Sequence, residues 1–220
     1  MSKNLFVAHW KKFFGDPVSR KEFVITIFLL VVTVYSFSRY LLFNESRPGV
    51  VLDDPLLRYF DAIDLNPLIF FAIYSSLLIG LISFSFYPEQ LMTAFQTYTL
   101  MVIFRMSAMY LVPLDPPTGC IDLQDPVVFI LGTGQKIIKD LFYSGHTSTA
   151  FMLFQVAKNR ILKTYFLGAT ITVGICVVLQ KAHYTIDVYV GLIFSFASYQ
   201  IIKMIRRKFN KYFKHHEQKA

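Results

Sequence analysis

Charge is scarce in this chain. Asp, Glu, Lys and Arg supply 16% of its 220 residues, while 55% are hydrophobic and the mean hydropathy is +0.48. A soluble domain of that length needs more polar surface, so that class is excluded. Cysteine is nearly absent: Cys120 falls in a loop and Cys176 inside an apolar run, at depths too different for a disulfide. There is no CxxC pair and no Cys/His spacing of a metal site, so neither a metal nor another cofactor is expected. The chain also lacks the apolar/polar alternation of barrel strands, a solenoid repeat and a low-complexity linker, which points to one helical domain. No small-x-small site follows the first apolar run, so a cleaved signal peptide is not expected either.

Long apolar runs dominate, near 23–43, 67–87, 92–112, 144–158, 164–181 and 184–203. All but the fourth, which is short, match the ~30 Å hydrocarbon core of a bilayer. Unpaired backbone groups are too costly in lipid for anything but helices here. The expected fold is therefore all-α: a polytopic membrane protein with a bundle of six transmembrane helices. Residues 1–22 form a basic, amphipathic N-terminal segment, 23–203 the catalytic membrane domain, and 204–220 a basic tail.

The net charge of +8 is distributed in a way that excludes nucleic acid as the partner and favours a membrane. Lys3, Lys11, Lys12, Arg20 and Lys21, then Lys158, Arg160 and Lys163, then a tail running from Lys203 to Lys219, all fall on one side of the expected spans. The opposite segments are acidic, with Glu45, Asp53, Asp54, Asp115, Asp122 and Asp125 among them. By the positive-inside rule both termini are cytoplasmic, and the loops near 44–66 and 113–143 lie on the non-cytoplasmic face. The second of these loops is long and rich in Pro113, Pro116, Pro117, Gly119, Gly132 and Gly134, a length that favours function. Phe6, Trp10, Phe13 and Phe14 share one face of a helical wheel, as in a helix lying in the membrane interface.

Two polar words interrupt the apolar background on that non-cytoplasmic side: Ser144-Gly145-His146-Thr147 and His183-Tyr184-Thr185-Ile186-Asp187. Four residues separate His183 from Asp187, one turn if the helix includes both. A carboxylate that takes the Nδ1 proton leaves Nε2 as a nucleophilic lone pair and stabilises the cation formed on attack at phosphorus. His146 opens a helix, where free N–H groups favour an anion; there it can serve as general acid and base. Gly145 permits close approach, and Ser144 and Thr147 offer hydroxyl donors. Arg105, inside an apolar run, is the candidate cation for phosphate. Lys181 is an alternative, and Lys136 and Lys139 read as solvated.

With Asp140 four residues before Ser144, these words resemble the two signature motifs of the sphingomyelin synthase family, the ceramide phosphotransferase branch of the lipid phosphate phosphatase (PAP2) superfamily. Arg105 with Val112-Pro113-Leu114-Asp115-Pro116, and Asp53-Asp54-Pro55-Leu56 with Asp61 and Asp64, resemble further motifs of that family. The resemblance covers about 23–203. It implies six spans of PAP2-like type, His183 as nucleophile, Asp187 as its orienting acid and His146 as acid and base. It also implies substrate contacts from Ser144, Gly145, Thr147, Arg105, Asp140 and Tyr184. Two departures stand out. Ile138 and Lys139 precede Asp140 where the family has Cys-Gly, and Val177 stands where a general phosphatase has Arg six residues before the second histidine.

The expected activity is transfer of a phospho-headgroup from a glycerophospholipid donor to a lipid acceptor such as ceramide. A lipid phosphatase or phospholipase C-like hydrolase would use the same residues with water as acceptor. A transporter or lipid-binding protein in which Arg105 merely pairs with Asp187 is the third reading.

Overall fold

A computed structural model describes residues 2–123, 125, 126, 129 and 134–217, with backbone alone for Ser2, Lys3 and 209–217. Gly132 and Lys219, named above, lie outside the described residues. Among these residues there are seven α-helices and no named strand: α1 (Ser2–Gly15), α2 (Pro17–Glu45), α3 (Asn66–Ser85), α4 (Pro88–Leu111), α5 (Gly145–Val156), α6 (Arg160–Leu179) and α7 (Thr185–Glu217). Every one of the six apolar runs is helical. The starts follow local chemistry. Asp16 caps α2 by accepting from the N–H groups of Val18 and Ser19, with Pro17 at the first position. Asn159 caps α6 in the same way through Ile161 and Leu162. Helix α2 thus begins six residues before the run read from hydropathy, because Asp16-Pro17 sets the start. Helix α7 continues well past 203 into the basic tail.

Four helices, α2, α3, α6 and α7, are long and apolar enough to cross a membrane, which fits an integral membrane protein. The other two runs explain why six are not found by that measure. Helix α4 has 24 residues but carries Glu89, Gln90, Gln96 and Arg105. It packs against α2, α3, α5 and α7, so Gln90, Gln96 and Arg105 face protein partners. Helix α5 has only 12 residues, about 18 Å at 1.5 Å per residue. That is short of a crossing, and nearly all of it is buried against α6 and α7.

Helix α1 departs from the interfacial reading. Phe13 is buried in a cluster with Phe84, Leu91, Val156 and Phe166, and Trp10 donates its indole N–H to Ser85 O at 2.8 Å. The aromatic face of α1 therefore closes the α3–α4 and α5–α6 turns, and its lipid-facing side is secondary. These contacts also gather the basic segments at one end of the bundle, while the histidine words and both long loops occupy the other.

The two loops are stitched into a layer. Val50 and Leu114 form a bridge in which Val50 N donates to Pro113 O and Asp115 N to Val50 O, both at 3.1 Å. A Cβ on Gly49 would stand 2.5 Å from the Leu114 carbonyl carbon, so glycine permits this crossing. Lys139, read as solvated, instead pairs with Asp115 at 2.8 Å and donates to Arg47 O at 2.8 Å. Lys136 pairs with Asp122, and Lys181 sits over the Phe60 ring at 5.7 Å. Both cysteines are free.

Gln180, fully buried at the end of α6, ties the layer to the bundle. Its amide oxygen accepts from Leu65 N at 2.9 Å, and its amide nitrogen donates to Ile121 O at 3.0 Å and Asn66 Oδ1 at 3.1 Å. Gln180→Leu strands these groups in a buried setting, at a cost of about 1–3 kcal/mol. A lowered melting temperature by circular dichroism in detergent is the expected result; an unchanged one would show that the loops are held elsewhere.

Candidate active site

The site is built where α6 ends and α5 and α7 begin. Past Leu179, Lys181 adopts φ 53° and turns the chain back, and Val177 O then receives the N–H groups of Ala182 at 3.0 Å and His183 at 3.2 Å. His183 thus precedes α7, which starts at Thr185, so the two residues do not share a helical face as the spacing alone would have it. Asp187, in the first turn, reaches back instead. Its Oδ2 accepts from His183 Nδ1 at 3.0 Å and from Tyr184 N at 3.3 Å. This is the reach-back half of a capping box, a first-turn carboxylate satisfying the N–H just before the helix. Asp54, from the first loop, takes the next N–H, of Thr185, at 2.7 Å. His183 is 2% exposed and Asp187 0%.

His146 occupies the first turn of α5. Ser144 is the N-cap: its side chain accepts from Thr147 N at 3.5 Å and lies 3.0 Å from Thr147 Oγ1. Both hydroxyls are buried and turned on each other, and neither residue lines the cavity beside the histidines. In this structure the two hydroxyls serve the cap. Ser144 N donates to Asp187 O at 3.1 Å, which joins the α5 start to the α7 start. Deeper along the same pair, Ser195 donates to Ser148 O at 3.0 Å, and Gly191 and Ser148 keep the two helices close.

The His146 ring is held by a residue that sequence reasoning did not single out. Its Nε2 lies 3.0 Å from Asp125 Oδ2, and Asp125 Oδ1 accepts from the Tyr74 hydroxyl at 2.5 Å. The pairing spans 21 residues across a loop, and Asp125 stood in the sequence as one of many loop acids. With Nε2–H given to Asp125, Nδ1 of His146 is left as a buried atom without a partner.

A cavity of about 380 Å³ brings the histidines together. His146, His183, Asp125, Asp140, Cys120 and Lys136 are among its lining residues. Arg105 is not among them. It lies behind His146, on a side cavity of about 180 Å³ that shares Asp125, Asp140 and His146 with the first. There its Nη2 stands 2.8 Å from Asp140 Oδ1 and its guanidinium packs 5.4 Å from the Phe37 ring. Arg105 and Asp140 thus pair with each other, and Asp187 belongs to His183, so the Arg105–Asp187 pair of the transporter reading is absent. Gly145 is explained by the same contact: a Cβ there would fall 1.7 Å from Arg105 Nη1. Tyr184 points elsewhere, donating to Asp115 O at 2.8 Å and accepting from Leu52 N at 3.1 Å, which makes it a brace between loops. Val177, where a phosphatase-type arginine would stand, is buried among Ile69, Val173 and Cys176.

Residues 139–204, just under a third of the chain, match the family model described as PAP2 superfamily C-terminal. The matched stretch contains both histidine words. It supports membership of the PAP2 superfamily and an enzyme of its phosphatase or phosphotransferase type. No curated protein and no solved structure matches the chain.

Two outcomes follow from this geometry. Gly145→Ala forces Arg105 off the helix start, an overpacking worth about 1–3 kcal/mol. In an Arg105→Ala background the same change should cost much less, and a full, additive loss of melting temperature in the double variant would contradict the contact. Burial, reinforced by Asp122, pushes the Cys120 thiol up to about 11. Only the thiolate reacts, about one part in a thousand at pH 8, so maleimide labelling should accelerate about tenfold per pH unit from 8 to 10. A rate that rises no more than about tenfold over the whole range and levels off towards pH 10 would show the thiol to be unperturbed.

Proposed function

We propose that this chain is an integral membrane lipid phosphotransferase that moves a phospho-headgroup from a glycerophospholipid to a lipid hydroxyl, of the kind ceramide offers. The single observation that carries the reading is a shared cavity lined by two histidines, each fixed through one ring nitrogen by its own carboxylate. His183 gives Nδ1–H to Asp187 and keeps the Nε2 lone pair for phosphorus. Attack forms the N–P bond and breaks the bond to the diacylglycerol oxygen, which takes its proton from Nδ1 of His146, the ring entering this step as an imidazolium with its Nε2–H held by Asp125. The acceptor hydroxyl then returns a proton to that nitrogen, its oxygen bonds phosphorus, and the N–P bond breaks. The buried charge of Asp187 stabilises the imidazolium through both steps.

The charges favour a headgroup that carries its own cation. Asp122, Asp125 and Asp140 line the cavity against Lys136, with Arg105 set behind. A phospho-amino-alcohol leaves such a site close to neutral, whereas a phosphate dianion meets three carboxylates. The filled position at Val177 supports transfer in the same sense, since no arginine stands there for a bare phosphate. Sphingolipid acceptors, a non-cytoplasmic site and cytoplasmic termini complete the reading, with the donor and acceptor lipids and the bilayer as its partners. Hydrolysis is the second reading, favoured by one observation: exposed Lys136 and Gln135 rim the cavity and admit water.

The test follows diacylglycerol release and headgroup fate in the purified enzyme with and without ceramide. Transfer predicts acceptor-dependent release and a headgroup found on lipid. Equal release without acceptor, with the headgroup free in water, makes the enzyme a hydrolase. His183→Ala, His146→Ala and Asp187→Asn should each remove at least about 10²-fold of turnover without unfolding, and their losses should not add. A His183→Ala enzyme near the wild-type rate rules out the covalent step, and so does activity that a chelator abolishes and a divalent ion restores.

A further inference from the structure

At the end of the bundle opposite the histidines, α2 and α7 both pack on α4 but scarcely touch each other. The cleft between them has a volume of about 550 Å³ and is walled by Ile25, Leu29, Leu100, Ile103, Ile202 and Ile205. One end is polar. There Arg206 pairs with Glu22, Arg206 Nη1 donates to Gln96 Oε1 at 3.1 Å, and Gln96 Nε2 donates to Glu22 and Thr26, each at 2.9 Å. Lys21, exposed, lines the same end.

We propose that this cleft binds an anionic phospholipid, one acyl chain lying between α2 and α7 and the phosphate seated at Lys21 and Arg206. Three observations converge. From Lys21 to Leu29 the apolar wall rises eight residues, about 12 Å, close to the ~15 Å depth of one leaflet. Among the described residues Arg206 bonds Glu22 and Gln96 through Nη1, and the other arm of its fork can take a further acceptor. Glu22 is the one acid lining the cleft, and with Asp16 at the α2 cap it stands against Lys21, Arg206 and the neighbouring Arg20, Lys203 and Arg207, an excess of positive charge that selects negative headgroups. The cleft shares no lining residue with the histidine cavity, so the proposal needs the chain to lie in a membrane but does not need the transfer reaction.

The experiment is native mass spectrometry of the full chain from detergent, with melting temperature in parallel, after adding phosphatidylglycerol, phosphatidylcholine or glycerol 3-phosphate. Phosphatidylglycerol should stay bound as a single adduct, at least about fivefold tighter than phosphatidylcholine, and raise the melting temperature. Glycerol 3-phosphate, a headgroup without a chain, should do neither. Lys21→Gln, an exposed change, should bring phosphatidylglycerol down to the phosphatidylcholine level. Leu100→Trp should fill the cleft and remove the adduct. The proposal falls if phosphatidylglycerol binds Lys21→Gln as tightly as wild type, if phosphatidylcholine is retained equally, or if glycerol 3-phosphate gives the same shift. Should Leu100→Trp fail to fold, Lys21→Gln decides alone.

Discussion

The carboxylate and the carbonyl of Asp187 engage two different histidine-bearing segments, and the geometry of the site depends on that double engagement. Through Oδ2 the residue holds the His183 ring and the N–H that precedes α7; through its carbonyl it takes the N–H of Ser144, the cap of α5. The starts of both helices are thereby fixed relative to each other, and His146 follows Ser144 by two residues. Remaining degrees of freedom are removed from outside: Val177 O fixes the His183 backbone, and Asp54 satisfies the next N–H of α7. A buried carboxylate is costly unless it is hydrogen-bonded. Here one such group serves the fold and the chemistry together, so its loss would be felt in both.

Four basic side chains at this end are each paired with a carboxylate: Arg105 with Asp140, His146 with Asp125, His183 with Asp187 and Lys139 with Asp115. Pairing of this kind keeps buried charge affordable and fixes ring orientation, but it also lowers the positive field available to a free phosphate. Arg105 shows the consequence. Its guanidinium stands against the first turn of α5, where the helix dipole disfavours a cation, and Asp140 offsets that repulsion. Arg105 therefore acts on the site through the position of His146 more than through direct reach into the larger cavity.

The helices and the two histidine words were legible in the sequence because both are local. Apolar runs set the helices, and His183 with Asp187 remained a pair although the helix begins between them, since a first-turn carboxylate can bond back as well as forward. Contacts across the loops were not legible. Asp125 meets His146 across 21 residues, and Tyr74 meets Asp125 across 51; no spacing rule connects them. The partners of Ser144, Thr147 and Tyr184 were not legible either: the first two bond each other in a helix cap and the third bridges the loops. By length and apolar composition four of the six runs can cross a membrane; α4 is set apart by polar residues turned to neighbouring helices, and α5 by its length.

The shortness of α5 sets the depth of the histidines. Helix α5 ends at Val156, in the cluster that α1 closes at the basic end, and runs back only about 18 Å to His146. On the membrane reading, with a hydrocarbon core of about 30 Å, the histidines then lie well inside the span of α2 and α3. The loop layer tied down by Gln180 roofs the cavity at that depth. In the proposed reaction the buried His183–Asp187 pair would meet phosphorus where the dielectric is low and its electrostatic stabilisation is strongest.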